Sequence, residues 1–368
     1  MTLSRLVGGL CLISLLWACG EQPAPPAAPE AVNAETADSA EGTSGTVETQ
    51  THLLEEIAPG VYFATGTGSV NVASNALVIV NEDDVVVVDS HITADAGRAL
   101  LNSIRAITDK PISYLINSHF HFDHAHGNQV FAEDTDIIGH EFTRAAMLDD
   151  PLNGATYQTI GSQTAQTGLL TALNEQITSE QGDTAALETQ RTVLERHIAA
   201  LPEVVPTPPN ITLTDTMTLR QGTREIRLIH PGRGHTGGDV IVYLPAEKVV
   251  FTGDLLYAGA PYLGDGFADE MPETLDVVRA LDVDVIAGGH GPLMRDKTHI
   301  DRSQAYLRQY WNQVSDSYEK GLSAEEAAAA IDFSDYEEFA AFQVAAPQVV
   351  QLEVGRMYQR IEAHEAAE

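Results

Sequence analysis

The sequence predicts an α/β fold of the αββα sandwich type, with a helical insertion and a helical C-terminal tail. Two observations favour this fold class. The folded part of the chain contains two β-rich halves, each accompanied by helices. In both halves the predicted strands end in His or Asp, so polar side chains collect just past strand ends.

The first half begins near residue 52 and contains a hairpin, a helix and two further strands. The runs 75–80 (NALVIV) and 85–88 (VVVV) are apolar and separated by the polar residues NEDD, which indicates a hairpin. Residues 93–107 have helical apolar spacing, and Thr93 is placed to cap this helix. The remaining strands are predicted at 112–116 and 136–139.

The second half repeats this pattern. Strands are predicted at 211–219, 225–230, 240–244, 249–252 and 283–287, with a helix at 273–281. Three junctions, 230–235, 252–254 and 287–290, place a His or Asp just past a strand end. The two halves together predict a domain over residues 52–300.

Two helical segments are predicted outside the sandwich core. Residues 150–205 form a helical insertion, in which one apolar face holds Leu169, Leu170, Leu173 and Ile177 and another holds Leu187, Leu194 and Ile198. The sequence leaves open whether this insertion is a lid over the site or a structural element. Residues 301–368 form a helical extension, where Ser323 to Glu326 and Ser334 to Glu337 both match capping boxes.

Residues 1–18 resemble a lipoprotein signal peptide. Arg5 supplies a positive charge, and the apolar run from Leu6 to Trp17 is too short to span a bilayer. Leu16-Trp17-Ala18-Cys19 resembles a lipobox, so we expect cleavage before Cys19 and lipidation of its sulfur. An ordinary cleaved signal peptide is the alternative. Residues 19–51 are acidic and rich in Pro and Ala, which predicts a disordered tether.

These features predict an exported cell-envelope lipoprotein on the periplasmic side, attached to the membrane through a lipid anchor only. Gly20 after the cysteine favours the outer membrane. The other cysteine, Cys11, lies in the signal peptide, so the mature domain would contain no thiol nucleophile and no disulfide.

The chain is strongly acidic, with 53 Asp and Glu against 20 Lys and Arg and a formal net charge of −33 at pH 7. Such a charge repels phosphate backbones, so we expect no nucleic-acid partner. The expected partner is a small-molecule substrate. The sequence does not indicate an oligomeric state.

A cluster of metal-ligand residues follows the strand at 112–116. The segment 117–128 reads NSHFHFDHAHGN and places His119, His121, Asp123 and His124 within six residues. Imidazole nitrogens and carboxylate oxygens are ligands that zinc prefers. Three further candidates recur at strand ends, namely His235, Asp254 and His290.

This pattern resembles the metallo-β-lactamase superfamily. The HxHxDH signature, the GHT histidine, the TGD aspartate and the GGHG histidine occur in the superfamily's order, over roughly residues 55–300. The resemblance implies that a first metal is held by His119, His121 and His235, and a second by Asp123, His124 and His290. It also implies that Asp254 bridges both metals and that Asp89 orients the ligand loop without binding metal.

The resemblance implies hydrolytic chemistry. Two cations that share a water lower its pKa from about 15.7 to about 7 and supply a bridging hydroxide nucleophile. Asp123 or Asp254 would orient that hydroxide. The expected cofactor is zinc, with two ions per chain, and iron or manganese is also compatible with these ligands.

Other residues near the strand ends are weaker candidates. His126, His91, His140 and His230 are expected to be packed or hydrogen-bonded neighbours of the site more often than ligands. Tyr257 and Tyr262 lie in a glycine-rich loop after Asp254. A donor role toward the substrate and simple packing both remain open for these two phenols.

The substrate class remains open between β-lactams and lactones, esters or thioesters. Export, and the similarity of residues 234–245 (GHTGGDVIVYLP) to a lactamase segment, favour β-lactams. Asp254 stands where many β-lactamases have Cys or Ser, and no obvious Lys follows it to hold a substrate carboxylate, which favours the other substrates. An iron-dependent dioxygenase and a non-catalytic binding protein are the alternatives from other classes.

Overall fold

The computed structural model of the protein describes residues 45–179 and 182–367. The predicted signal peptide, the predicted lipidation site Cys19 and residues 19–44 of the predicted tether lie outside the described residues. None of the helices in the described ranges has the length and apolar character that crossing a membrane requires.

Within the described residues the first sheet has eight strands, and their spatial order follows their order in the sequence. The strands are β1 (Thr46–Glu48), β2 (His52–Ala58), β3 (Val61–Gly66), β4 (Ala76–Val80), β5 (Val85–Val88), β6 (Ile112–Ile116), β7 (Asp136–His140) and β8 (Ile211–Leu213). Pairing is antiparallel from β1 to β5 and parallel from β5 to β8.

The second sheet has five strands in the order β13-β12-β11-β10-β9. They are β9 (Thr216–Gln221), β10 (Arg224–Ile229), β11 (Ile241–Leu244), β12 (Val249–Phe251) and β13 (Val285–Ala287). All pairs are antiparallel except β12 and β13, which run parallel.

The helices flank these sheets and fill the insertion and the tail. They are α1 (Ala94–Arg105), α2 (Phe122–Ala125), α3 (Glu141–Leu148), α4 (Gln163–Thr178), α5 (Thr184–Ala200), α6 (Met271–Ala280), α7 (Thr298–Glu319), α8 (Ala324–Ala330), α9 (Ala341–Ala345) and α10 (Pro347–Glu365). As predicted, the Thr93 side chain caps α1 by accepting a hydrogen bond from the Ala96 amide.

The strand side chains alternate between two apolar layers. In β4, Leu77 and Ile79 pack between the two sheets, whereas Val78 packs outward with Leu100 and Ile104 of α1. The outer face of the second sheet is covered by α6, α7 and α10 in the largest apolar cluster. This arrangement confirms the predicted αββα sandwich.

The ordered sheet begins earlier than predicted. The tether was expected to run to residue 51, but β1 pairs with β2, and Thr46 faces Glu55 across the two strands. Val47 packs beside the outer apolar layer of the first sheet. A three-residue edge strand with a single apolar side chain has too little hydrophobic pattern to stand out from the polar segment that precedes it.

The strand predicted at 211–219 is wrong as a single element. It is two strands, because β8 pairs with β7 in the first sheet and β9 pairs with β10 in the second. Thr214 and Asp215 are exposed between them, where the chain crosses from one sheet to the other. The segment ITLTDTMTL has Thr at every second position throughout, so its alternation gave no local signal for this crossing.

The tail is less separate from the domain than predicted. Tyr306, Tyr310 and Val354 lie in the same buried cluster as Leu275 and Ile286, so the tail completes one face of the sandwich. The capping box at Ser323 and Glu326 is confirmed. The one predicted at Ser334 is wrong, because Ser334 starts a short 3₁₀ turn without a side-chain cap and its amide donates to Asp332.

Candidate metal centre

The first predicted donor group lies together at the end of the ligand loop after β6. His119, His121 and His235 each offer one ring nitrogen, and these three atoms lie within 4.8 Å of one another. The Nε2 of His235 is 2.8 Å from the Nδ1 of His121. All three rings are buried, so they form a compact trio of nitrogen donors.

The second predicted donor group lies beside the first. Asp123, His124, Asp254 and His290 offer atoms that also lie within 4.8 Å of one another. The Nε2 of His290 is 3.3 Å from Asp123 Oδ2 and 3.1 Å from Asp254 Oδ2. Two carboxylates and two imidazoles therefore converge on a second point.

Asp254 is the residue that lies between the two groups. Its carboxylate is 3.2 Å from the Nε2 of His124 and 3.6 Å from the Nε2 of His235. It follows β12, and a short 3₁₀ turn over 253–255 directs it toward the site. Asp254 thus has the position that a shared ligand would require, and bridging itself stays a prediction.

Asp89, which directly follows β5, holds the second donor group in place. Its Oδ1 accepts a hydrogen bond from the Ser118 amide, and its Oδ2 accepts from the Ser118 hydroxyl and from His124 Nδ1, at 2.7 and 2.8 Å. Asp89 is fully buried and has φ +64°, a left-handed conformation that Asp tolerates better than most residues. These contacts place it where the sequence predicted a loop-orienting residue.

Ser74 and Asn75, which lie just before β4, also hold the second donor group by hydrogen bonds. The Ser74 hydroxyl donates to the Asp123 carbonyl at 2.6 Å, and the Asn75 side-chain amide donates to the carbonyls of Gly288 and Gly291, which flank His290. The second group is therefore tied to strand ends of the first sheet.

The first group is held by a different element, the loop 257–266. The Tyr262 carbonyl lies 2.8 Å from His235 Nδ1, and Asp265 Oδ2 lies 3.1 Å from His121 Nε2. Thr156 also donates to Asp265. Asp265 was not predicted, because its only signal in the sequence is an aspartate flanked by glycines in LGDGF.

The C-terminal helix α10 anchors that loop. Oε1 of its buried Glu353 accepts hydrogen bonds from the Leu263 amide at 3.1 Å and from Gln343 at 3.0 Å. Oε2 accepts from the Tyr310 hydroxyl at 2.9 Å, and Arg356 donates to the Gly266 carbonyl. Burial raises the pKa of Glu353 to about 7, against the lowering effect of these hydrogen bonds. A chain of contacts thus connects the tail to the first donor group.

These partners determine which ring nitrogens face the site. Tyr262 and Asp265 offer only acceptor oxygens, so His235 Nδ1 and His121 Nε2 must donate, which leaves the opposite nitrogens as lone pairs. His124 Nδ1 donates to Asp89 in the same way. The imidazoles are therefore oriented as ligands by the protein itself.

Three buried atoms support the fit of a cation. In the described part of the chain, His119 Nε2, His124 Nε2 and Asp254 Oδ1 are buried and have no hydrogen-bond partner. Gly289 lies against them, and a Cβ there would come within 2.2 Å of Asp254 Oδ1. Only glycine leaves this space, and the atoms around it are the nitrogen and oxygen donors that zinc prefers.

The electrostatics of the site also suit divalent cations. Burial and the neighbouring His124 hold the pKa of His119 well below its usual value, so its ring is neutral. Burial alone would raise the pKa of Asp254, but His290 and His124 hold it well below the usual range. Burial opposes the charged form of His124, yet Asp254 and Asp123 raise its pKa well above normal, so a proton and a metal ion compete for its Nε2.

The start of the insertion reaches the site, whereas its helices do not define it. A cavity of about 190 Å³ beside His121 has residues 154–157 as one wall. Helices α4 and α5 instead pack on each other through Leu173 and Leu194. The two parts of the insertion therefore have different roles. Its first few residues form a wall of the cavity, and the helix pair is a structural element.

The weaker candidates are hydrogen-bonded or packed neighbours, as expected. His126 is buried between Phe122 and Tyr157. The remaining contacts are His91 Nε2 to His52 Nε2 at 3.1 Å, His140 Nε2 to the Thr214 carbonyl at 3.0 Å and His230 Nδ1 to the Asp239 carbonyl at 2.8 Å. The Tyr257 hydroxyl donates to the Ala260 carbonyl and the Tyr262 hydroxyl meets Thr156, so both phenols are engaged within the protein.

The chain matches the metallo-β-lactamase superfamily over residues 70–290, more than half of its length. It is 22% identical over 261 residues to a linear primary-alkylsulfatase from Pseudomonas sp., covering 66% of this chain and 47% of that protein. It is 23% identical over 105 residues to a metallo-β-lactamase type 2 from Elizabethkingia meningoseptica, covering 27% and 42%. The matched regions span less than half the length of these curated relatives.

Among solved structures, a metallo-β-lactamase from Erythrobacter litoralis is similar with a TM-score of 0.49 and 17% identity, covering 72% of this chain and 100% of that chain. A metallo-β-lactamase from Pontibacter korlensis is similar with a TM-score of 0.47 and 16% identity, covering 72% and 99%.

Proposed function

Because this chain belongs to the metallo-β-lactamase superfamily, we propose that it is a metal-dependent hydrolase that opens an amide or ester bond in a small-molecule substrate. We propose zinc as the metal, with two ions per chain. The observation that supports this most strongly is the convergence of two separate donor groups in one site.

The number of donors favours two ions. The two groups together offer seven donor atoms, more than the four that a tetrahedral zinc site uses. His119, His121 and His235 would hold the first ion, and Asp123, His124 and His290 the second. Asp254, which contacts members of both groups, would serve both ions.

When bound, such cations lower the pKa of a bound water to about 7 and polarise the bond to be broken. The chain's own contribution is orientation. Asp123 and Asp254 are acceptors, so each can hold a hydrogen of the attacking water and direct its lone pair toward the substrate. We therefore propose these two carboxylates as the catalytic residues.

A hydrolysis screen tests this proposal. Zinc-loaded protein would be assayed with a β-lactam, a lactone, an ester, a thioester and a phosphodiester, with an alkyl sulfate added because one relative is an alkylsulfatase. Elemental analysis of the same sample would count the metals. The variants His119→Ala and His290→Ala remove one donor from each group, and His364→Ala, an exposed tail histidine, is the control.

We expect turnover of at least one class, about two zinc ions per chain, loss of turnover in both ligand variants and full turnover in the control. A single bound iron with oxygen uptake would overturn the proposal in favour of a dioxygenase. Two bound metals without turnover of any class would favour a non-catalytic binding protein.

We also propose, from the lipobox-like segment alone, that Cys19 carries a lipid anchor in the cell envelope. Cys19→Ser should move the protein from the membrane fraction to the soluble envelope fraction. Retention of the serine variant in membranes would overturn this proposal without affecting the hydrolase proposal.

A further inference from the structure

We infer that the cavity beside His121 is a substrate subsite for an uncharged apolar group about as large as one six-membered ring or a short alkyl chain. The inference rests on the proposed function, because it names the part of the substrate that lies next to the metal centre.

The cavity lies between the ligand loop and the start of the insertion. His121 lines the cavity and is a member of the first donor group, so a molecule in the cavity would contact a residue of the metal centre. The full lining is Phe120, His121, Phe122, His126, Ala146, Asp149, Pro151, Gly154, Ala155, Thr156, Tyr157 and Asp265.

The walls are mostly aromatic and aliphatic. Phe122 and Tyr157 meet edge to face with ring centroids 5.5 Å apart, and Phe120 packs beside His121. The volume is about 190 Å³. Because an apolar cavity of about 150 Å³ accommodates benzene, this one suits a single ring or a short chain.

The charges on the lining exclude an anionic occupant. Asp149 and Asp265 are both acidic, and no Lys or Arg is among the lining residues. Asp265 also receives hydrogen bonds from His121 and Thr156, which keeps its carboxylate at this wall. A carboxylate or sulfate on the substrate would meet like charge on these two side chains and find no Lys or Arg among the lining residues to pair with. Uncharged esters and lactones are therefore favoured over anionic β-lactams and alkyl sulfates.

A pair of matched esters tests the charge preference. 4-Nitrophenyl butanoate and the 4-nitrophenyl monoester of succinate have the same acyl length, and only the second has a terminal carboxylate. We expect kcat/KM on zinc-loaded protein to be roughly tenfold higher for the neutral ester. Asp149→Lys, an exposed change at the cavity, should reduce this preference by about two- to fivefold.

Glu141→Lys is the control, because it makes the same charge change at the first residue of α3, whereas Asp149 directly follows the last, and Glu141 lies outside the cavity lining. It should leave the preference unchanged. Faster turnover of the succinate ester by the wild-type protein, or an equal effect of both lysine variants, would overturn the inference while leaving hydrolysis established.

A ligand-binding experiment tests the subsite independently of turnover. The ¹⁹F signal of 4-fluorobenzyl alcohol should broaden with zinc-loaded wild-type protein and sharpen again with Ala155→Phe, which fills the cavity. Ala145→Phe, an exposed change on α3 outside the lining, should bind like the wild type. No broadening with the wild type, or equal broadening with Ala155→Phe, would overturn the subsite even if the protein proves to be a hydrolase.

Discussion

The two donor groups of the metal centre lie side by side but are supported differently. The second group is held by Asp89, Ser74 and Asn75, all at strand ends of the first sheet. The first group is held by Tyr262 and Asp265 of one loop, which in turn is anchored by Glu353 of the last helix. One half of the site is thus part of the sandwich, and the other half depends on a loop and a tail helix.

This difference means that the two halves should fail independently. Substitutions at the sheet end should affect the second metal, and substitutions in the loop or tail should affect the first. Two residues act on both groups: Asp254 contacts both directly, and the Ser118 hydroxyl that donates to Asp89 lies 3.0 Å from His119 Nδ1. The four predictions below test this division, from the largest expected effect to the smallest.

Asp254→Asn should have the largest effect, because it removes the negative charge shared by both groups while keeping the size of the side chain. We expect bound zinc to fall and turnover to drop by roughly 100-fold or more, with partial rescue by excess zinc. Elemental analysis and kinetics measure this. Wild-type zinc content together with wild-type turnover would remove Asp254 from the site.

Asp89→Asn should weaken the second metal more than the first, because His124 contacts Asp89 directly whereas His119 is connected to it only through Ser118. The Asp89 carboxylate accepts all three of its hydrogen bonds. An asparagine NH₂ group in place of either oxygen would therefore face a donor of Ser118 or His124 Nδ1. We expect a loss of zinc toward one ion per chain and about a 100-fold weaker second site, measured by chelator competition. The control Asp84→Asn changes a buried carboxylate at the other end of the same strand and should retain two ions.

Asp265→Asn should weaken the first metal instead, by about tenfold. The effect is smaller because Asn can still accept the hydrogen bond from His121 Nε2 through its carbonyl oxygen. Replacing zinc with cobalt and recording the absorption of the cobalt bound at the histidine-rich first site measures the first ion separately. If Asp265→Asn and Asp89→Asn weaken the same ion, the two halves are not independent.

Glu353→Gln should have the smallest effect on metal binding, a few-fold at the first site, and a clear effect on the pH dependence of stability. Burial raises the pKa of Glu353 from 4.5 to about 7, so the folded protein binds this proton more tightly than the unfolded chain. Stability from this group is therefore present below pH 4.5 and lost as pH rises through 7, by about 3 kcal/mol.

The glutamine variant should not show this loss, so its free energy of unfolding relative to wild type should improve between pH 4.5 and pH 8. Urea unfolding at both values measures it. Glu362→Gln, an exposed change on the same helix, is the control. An unchanged difference between variant and wild type across this range would show that Glu353 is not a buried acid with a raised pKa.

The ligands of both donor groups could be predicted from the sequence, because they lie just past strand ends. His119, His121, Asp123 and His124 follow one apolar strand within six residues, and Asp254 and His290 follow others. Strand ends of a sandwich meet at one edge, so these side chains had to come together. Asp89 also follows a strand, and its role in orienting the ligand loop was implied by the resemblance to the superfamily.

The support of the first group could not be predicted. Asp265 contacts a histidine 144 residues earlier, and Glu353 contacts an amide 90 residues earlier, without any spacing pattern that marks either pair. Glu353 lies in a helix whose apolar positions predict burial but not a buried acid. Likewise, the division of 211–219 between two sheets depends on tertiary pairing, and β-propensity alone does not reveal it.

The position of Glu353 in the chain also sets the order in which the parts of the metal centre are synthesised. Every ligand, and Asp89, Tyr262 and Asp265 with them, precedes residue 291, whereas the anchor of the loop follows Leu263 by 90 residues. At about 5 to 20 residues per second, a ribosome takes roughly 5 to 18 seconds to add that stretch. The residues of the sheet-supported half of the metal centre are therefore all synthesised before Glu353, the residue that anchors the loop-supported half.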